Sequence, residues 1–390
     1  VSTANERHLD ATIRHAVEVQ RFRRGEAREV ADILSRADQD LVRKLRRRIG
    51  PRFDNTRIKA LLDDLYVARG ATFERIRKKV RDELLEFSDA EARLEAEAMR
   101  RSVGVSFDLA AVPMSALRKV LYTRAFSGRT MDQWFRDLRQ ADRLAVSKAI
   151  QQGVAQGEGV DGIVRRVAGT KARGYTDGAL AMGRRRAETV VRSAVNHAHN
   201  SAREEVWQAN ADVVAYVKAV ATLDGRTSPV CRAIDGALDP VGDRPLPKGA
   251  KALNGRRPPF HPNCRTTTVA VLDGEGVAGR RPYVLDARDP GKRAADFAAE
   301  ARKTGRPIAD VRSAWADRHV GTVPADTTFG QWIKRQSAAD QDAVLGKTRG
   351  ALLRRGGLTV EQYVDRKGDE LTISALRGRY PDAFAKANLK

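Results

Sequence analysis

Apolar residues recur at three- and four-residue steps through residues 3 to 100, and charged residues fill the opposite faces. Leu9, Ile13, Ala16 and Val17 form one stripe, and Val30, Ile33, Leu34, Ala37, Leu41 and Leu45 extend it. Gly50-Pro51 interrupts the pattern. Ile58, Leu61, Leu62 and Leu65 then resume it, followed by Phe73, Ile76, Val80 and Leu84. A strand alternates every second residue, so this spacing is that of α-helices. Stripes of this length need a partner, which predicts two antiparallel helices or a helical arm. Thr3-Ala4-Asn5-Glu6 has the form of a capping box, in which the Thr hydroxyl and Glu carboxylate satisfy free N–H groups at a helix start.

Beyond this region the spacing predicts a mainly α chain carrying a small α+β module. Residues 102 to 114 read as a loop ending at Pro113, with helices resuming at Met114. Phe126 to Thr130 reads as a turn with Thr130 as a cap. Trp134, Leu138, Leu144, Val146 and Ile150 suggest two short helices, and Ile163, Val164 and Val167 another. Gly169 to Gly183 reads as a basic connector, followed by a helix from Arg185 to Trp207. The β-branched run Val213, Val214, Tyr216, Val217 and Val220 predicts a strand. Thr266 to Leu272 would be its return strand. The expected organisation is a basic helical arm (1–105), a helical region (106–184) and a helix–strand–strand module with a Cys/His loop (185–273). A linker (274–325) with a helix near Ala294 to Arg302 and a small helical C-terminal unit (326–390) complete it. Trp332, Ile333, Val344, Leu345, Leu352 and Leu353 are the core of that last unit.

Charge narrows the partners. The 390 residues contain 72 Lys+Arg against 50 Asp+Glu, a net +22. Such an excess attracts polyanions and speeds encounters with them. Lys44, Arg46, Arg47 and Arg48, and then Arg75, Lys78 and Lys79, are the candidate phosphate contacts, with a solvated helical face as the other reading. No stretch approaches the ~20 apolar residues of a membrane span. No apolar signal core follows the start, so synthesis in a cytoplasm with reduced thiols is expected.

The only two cysteines lie at the ends of a polar, Pro/Gly-rich segment between the two predicted strands. It opens with Asp224-Gly225-Arg226-Thr227-Ser228-Pro229-Val230-Cys231 and Asp235-Gly236. It closes with Pro258-Pro259-Phe260-His261-Pro262-Asn263-Cys264-Arg265. Cys231, His261 and Cys264 are good ligand types for zinc, and Asp224 or Asp235 would have to supply the fourth. A Cys231–Cys264 disulfide and two buried thiols are the alternatives. Asp224 to Thr227 reads as a tight turn in which Arg226 pairs with a carboxylate. No second carboxylate sits at a fixed short spacing from Asp224, as acid/base catalysis would want. No Gly-x-Ser-x-Gly elbow and no phosphate-binding Gly-x-x-x-x-Gly-Lys-Ser/Thr loop is present. His197 and His199, two apart on one helix, diverge too far to share a metal and read as ordinary polar positions. Glu188 and Arg192 have the spacing of an i, i+4 pair.

The Arg185-Arg186-Ala187-Glu188-Thr189 helix, the Asp224–Cys231 segment and the His261-Pro262-Asn263-Cys264-Arg265 close resemble the phage Mu F-like head morphogenesis family over about 185–272. Phe126, Gly128 and Trp134 resemble its upstream helical region. Phe329-Gly330-Gln331-Trp332, Gln336, Gln341, Val344-Leu345-Gly346 and Arg349 are similar to phage minor head proteins. The motif residues carried over are Asp224, Arg226, Thr227, Asp235, Gly236, Pro259, Asn263 and Arg265. Many relatives carry Cys where Ser228 and Thr266 stand, so this chain keeps part of any four-ligand zinc site. The resemblance implies a non-enzymatic minor capsid protein of a tailed phage. Its partners would be the portal protein, the major capsid protein and, through phosphates, the genomic DNA. It would be found in the virion near the portal, and in the host cytoplasm during assembly. The rival readings are a metal-dependent nuclease using Asp224 and His261, and a DNA-binding protein ejected with the genome.

Overall fold

The computed structural model describes residues 3–48, 55–103, 109–272, 280–286, 288 and 290–389. The Gly50-Pro51 break lies outside the described residues. The first two helices, α1 (Ala4–Arg48) and α2 (Asn55–Val103), are long. At 1.5 Å per residue each spans about 70 Å. Their stripes meet in antiparallel order: Leu41 and Leu45 pack with Leu61 and Leu65, and Val30 and Leu34 with Phe73, Ile76 and Val80.

The pair is not a projecting arm. A central helix, α6 (Ala179–Ala209), lies against it, and Ala187, Val190, Val191, Ala194, Val195 and Ala198 enter the same core. Between them in sequence come α3 (Met114–Thr123), α4 (Met131–Ala155) and α5 (Val160–Ala168). Thr130 caps α4 in a complete capping box with Gln133. The two short helices expected from Trp134 to Ile150 are one continuous α4. Nothing between them breaks a helix, Leu144 is exposed, and Asp142 points inward to Arg69 (2.5 and 2.8 Å). The connector after Gly169 also ends sooner than expected. Ala179 and Leu180 are buried beside Val146 and Ile163, so α6 starts there. Gly183 lets the helix pass Asp142, since a Cβ would lie 2.3 Å from its Oδ1.

The first sheet is antiparallel and ordered β3-β1-β4, from β1 (Val214–Val220), β3 (Leu238–Pro240) and β4 (Thr267–Leu272). Val217 faces Ala270 on one side and Asp239 on the other. This is the return pairing the β-branched runs predict. The short β2 (Leu223–Asp224) leaves this sheet for a second one, β2-β5-β6. A short helix, α7 (Pro229–Ile234), follows β2 and carries Cys231.

The segment expected as a linker has more structure than its composition suggests. It contains β5 (Arg280–Val284), α8 (Pro290–Thr304), α9 (Ile308–His319) and β6 (Val320–Pro324). Strand β5 pairs in parallel with β2 (Leu223 with Tyr283) and antiparallel with β6 (Arg281 with Val323). Its anchor is the buried Arg281, a residue that composition counts as polar surface. Five short helices follow: α10 (Phe329–Lys334), α11 (Ala338–Leu345), α12 (Lys347–Arg354), α13 (Ile373–Arg379) and α14 (Pro381–Lys386). They bury Trp332, Ile333, Leu345, Leu352 and Leu353 together with Leu223 of the second sheet. The architecture is mainly α with two three-stranded sheets, in agreement with the fold class read from the sequence.

Candidate functional site: a cysteine and histidine cluster between two sheets

Strand β1 runs into β2, and the chain then turns sharply at Asp224. One Asp224 oxygen accepts from the Arg226 N–H (3.0 Å) and the Thr227 hydroxyl (3.1 Å). The single Thr227 proton is shared with the Thr222 carbonyl. Arg265 grips both Asp224 oxygens, at 2.6 and 2.7 Å. Burial would raise the Asp224 carboxyl, but the hydrogen bonds and charge of Arg265 outweigh it and hold the group below the usual carboxylate range. Arg226, the partner expected from sequence, stands farther off at 3.7 Å. With both oxygens engaged, Asp224 clamps the two ends of the loop.

Ser228 starts α7, which places Cys231 on its inner face. From the other end of the loop, a turn sets the Cys264 N–H on the His261 carbonyl (3.1 Å). The Pro258–Pro259 peptide is cis, and Asn263 occupies the left-handed region (φ 60°), which Asn tolerates. Three side chains converge there. The Cys231 and Cys264 sulfurs are 3.6 Å apart, and His261 Nε2 lies 3.2 Å from Cys231 Sγ and 2.8 Å from Ser228 Oγ. Both cysteines are free and buried. His261 Nδ1 donates to the Pro262 carbonyl (2.8 Å), which leaves Nε2 as the nitrogen facing the sulfurs.

The sulfurs are electrostatically unequal. The hydrogen bond with Cys264, then burial, push the Cys231 thiol well up. Burial also opposes ionisation at Cys264, but hydrogen bonds from Cys231 and His261 and the His261 charge hold it well below the usual thiol range. Of the two sulfurs, Cys264 is the one whose ionisation its surroundings favour. Two sulfurs and one imidazole within 4.8 Å of one another fit zinc with three protein ligands. Ser228 Oγ stands beside them, hydrogen-bonded to His261 Nε2. Asp235, the other candidate fourth ligand, faces away: its oxygens accept from the Ala221 N–H and the Phe329 N–H (2.7 Å each) and from Arg281 (2.9 Å).

The remaining motif residues hold this loop against its neighbours. Gly236 (φ 78°) leaves room for Thr328, whose methyl would lie 2.9 Å from an added Cβ. The Asn263 N–H donates to Ser193 Oγ (3.1 Å) on α6. The Cys264 carbonyl accepts from Arg23 (2.8 Å) of α1 and from Asn196 (3.0 Å) of α6. One helical turn on, the Asn200 side-chain oxygen accepts from the Thr268 N–H (3.0 Å), and Arg203 donates to the Thr268 carbonyl (2.8 Å). Arg23, Asn196, Asn200 and Arg203 were missed from sequence. Asn196, Asn200 and Arg203 lie on one face of α6, at spacings of three and four, and that spacing was the available signal.

His197 and His199 do diverge, but neither is an ordinary polar position. His197 stacks on Phe126 (4.8 Å), and burial, then the Arg124 charge, push it down to about 4. His199 reaches Glu91 on α2 (2.7 Å). The Glu188–Arg192 pair is present at 2.7 Å.

The basic residues divide into two groups. Lys44, Arg46, Arg47 and Arg48 are exposed at the end of α1, where cations also favour the helix terminus. Of these, Arg46 pairs with Asp161 (2.7 Å) and Arg48 with Asp64 (3.0 Å). On α2, Arg75 and Lys78 are exposed, whereas Lys79 contacts Glu29 (3.1 Å) and Glu83. Arg77 and Arg81 of the same run clamp Asp132 at the start of α4 (3.0 and 2.6 Å).

Residues 145–269 match the family described as Phage Mu protein F like protein. The matched stretch runs from within α4 through the Cys/His loop into β4, and over it the chain is similar to that family. No curated protein and no solved structure matches the chain. Among the described residues no helix is long and apolar enough to cross a membrane.

Proposed function

We propose that this Mu F-like chain is a head morphogenesis protein of a tailed phage: a structural minor capsid component that docks at the portal vertex and contacts packaged DNA. The Mu F-like match over 145–269 carries the phage-head reading, because it covers the central helix, the first sheet and the closed loop together. The construction of the site supports a docking role. Its carboxylates are spent on internal ion pairs, and its two sulfurs meet where the loop closes between two sheets. In this reading Cys231, His261 and Cys264 would hold a zinc ion, which would supply loop closure and no turnover. The chain's own residues fix the loop in any case, through Asp224–Arg265 and the contacts of α6 with Cys264.

DNA contact is supported by the net charge of +22 and by the exposed Lys44, Arg47, Arg75 and Lys78. Such a surface binds phosphates without reading bases. The deciding experiment is mass spectrometry of purified procapsids and virions, followed by reconstruction of the particle without imposed symmetry. Density for this chain against the portal ring is the expected result. Its absence from both particles overturns the proposal. Its presence in full virions with loss from emptied ones would replace docking by ejection.

A further inference from the structure

A second cluster of ligand-type side chains lies within the helical bundle, apart from the cysteine loop. His15 of α1, Glu91 of α2 and His199 of α6 come together, with His15 Nε2 2.7 Å from one Glu91 oxygen and His199 Nδ1 2.7 Å from the other. Glu91 and His199 are buried, and His15 is partly open to solvent. We propose that these three residues form a binding site for a divalent transition ion of the zinc class, which ties the three helices together.

The proton arrangement favours a cation at this point. His15 lies between two carboxylates: Nε2 faces Glu91, and Nδ1 faces Glu18 (3.4 Å). Ionised carboxylates only accept, and a neutral imidazole carries one proton. One nitrogen of a neutral His15 therefore turns its lone pair on a carboxylate, a conflict that either protonation of the ring or a bound cation removes. His199 has the same form, with its outer nitrogen on Thr267 Oγ1 (3.2 Å). An imidazole that gives one nitrogen to the centre and the other to an outer carboxylate or hydroxyl has the second-shell arrangement of metal-bound histidines.

Charge counting agrees. Glu95, one turn along α2, is also buried, and it takes Arg203 (2.6 Å), Trp207 Nε1 (2.6 Å) and His8 (3.1 Å). The Arg203 guanidinium is thus engaged with Glu95, and among the described residues the hydrogen bonds of Glu91 come from its two imidazoles. A divalent ion would neutralise it without requiring a fully buried His199 to take a proton. Two imidazole nitrogens and a carboxylate suit zinc, cobalt or nickel better than magnesium or calcium. A cavity of about 320 Å³ lined by His15, Glu91, Thr12 and Arg203 opens beside the cluster and provides a way in.

The test uses the full chain with Cys231→Ser and Cys264→Ser, which removes thiolate ligation. Titration with Co²⁺ should give one bound equivalent, with visible d–d bands and no sulfur-to-cobalt charge transfer. His15→Ala in that background should abolish those bands while the far-ultraviolet dichroism stays unchanged, since His15 is partly exposed. Glu18→Ala should weaken binding by about 10- to 100-fold, as outer partners of metal ligands do. If the cysteine variant fails to fold, the bands without sulfur charge transfer are followed in the wild-type chain and must vanish with His15→Ala. No cobalt bound in the folded cysteine variant, or bands that survive His15→Ala, overturns the proposal.

Discussion

Asp235 and Arg281 form an ion pair with almost no solvent exposure, at 0% and 3%. Arg281 Nη1 lies 2.9 Å from Asp235 Oδ2 and also donates to the Thr327 carbonyl (3.0 Å), while Nη2 reaches the Ala221 carbonyl. Asp235 ends α7 and accepts from the first N–H of α10. One pair of side chains therefore connects the cysteine loop, the second sheet and the C-terminal helices. The Cys/His loop is thereby tied to the second sheet and to the C-terminal helices.

Removing one member of this pair leaves an uncompensated buried charge. Arg281→Met should lower the unfolding free energy by about 3–5 kcal/mol in urea titrations. Asp235→Leu combined with Arg281→Met should cost less than Arg281→Met alone. A loss in the double variant equal to the sum of the losses in Arg281→Met and Asp235→Leu alone would mean that the pair is not coupled.

The helical stripes were legible because a 3.6-residue period is local, and Leu34, Leu45, Ile76 and Leu84 are indeed buried. The meeting of His261 with Cys264 was legible for the same reason, as one turn holds both. Arg281, Asn196 and Arg203 were not, because buried polar residues look like surface in a sequence and their partners are remote. His199 and Glu91 are 108 positions apart, and His15 and Glu91 are 76 apart. Ion pairing also hid the difference between Arg77, which clamps Asp132, and Lys78, which is exposed. In one basic run, composition cannot separate the two.

Glu26 is half-buried between α1 and α2. Burial, then the neighbouring Glu83 charge and hydrogen bond, raise its carboxyl to about 7. A carboxyl raised in the fold binds more protons there than in the unfolded chain between about pH 4.5 and 7. Stability from this group is therefore greatest at low pH and is lost as pH rises through 7. Glu26→Gln should raise the melting temperature at pH 8 and leave it nearly unchanged at pH 5. The same shift at both pH values would remove the electrostatic account.

The cysteine cluster makes a chemical prediction of its own. The sulfurs lie 3.6 Å apart and the surroundings of Cys264 favour its ionisation, so a mild oxidant should join the pair in the metal-free chain. Added Zn²⁺ should protect both thiols from oxidation and from alkylation, and His261→Ala should weaken that protection. Mass analysis after trapping with a thiol reagent distinguishes the states. Protection unchanged in His261→Ala would exclude the imidazole as a ligand.

If the chain contacts DNA as proposed, affinity should separate the exposed cations from the paired ones. Each phosphate contact removes about 0.9 from the slope of log affinity against log salt. Replacing Lys44, Arg47, Arg75 and Lys78 together by Ala should therefore flatten that slope by up to about 3.6, with the fold intact. Fluorescence anisotropy with duplexes of unrelated sequence should show the same loss for each, since phosphate contacts carry no base information. Arg77→Ala with Arg81→Ala should behave differently. That variant frees Asp132 and should lower thermal stability more than it changes the salt slope, because both guanidinium groups are already engaged. A slope unmoved by the fourfold variant would place the phosphate contacts elsewhere on the surface.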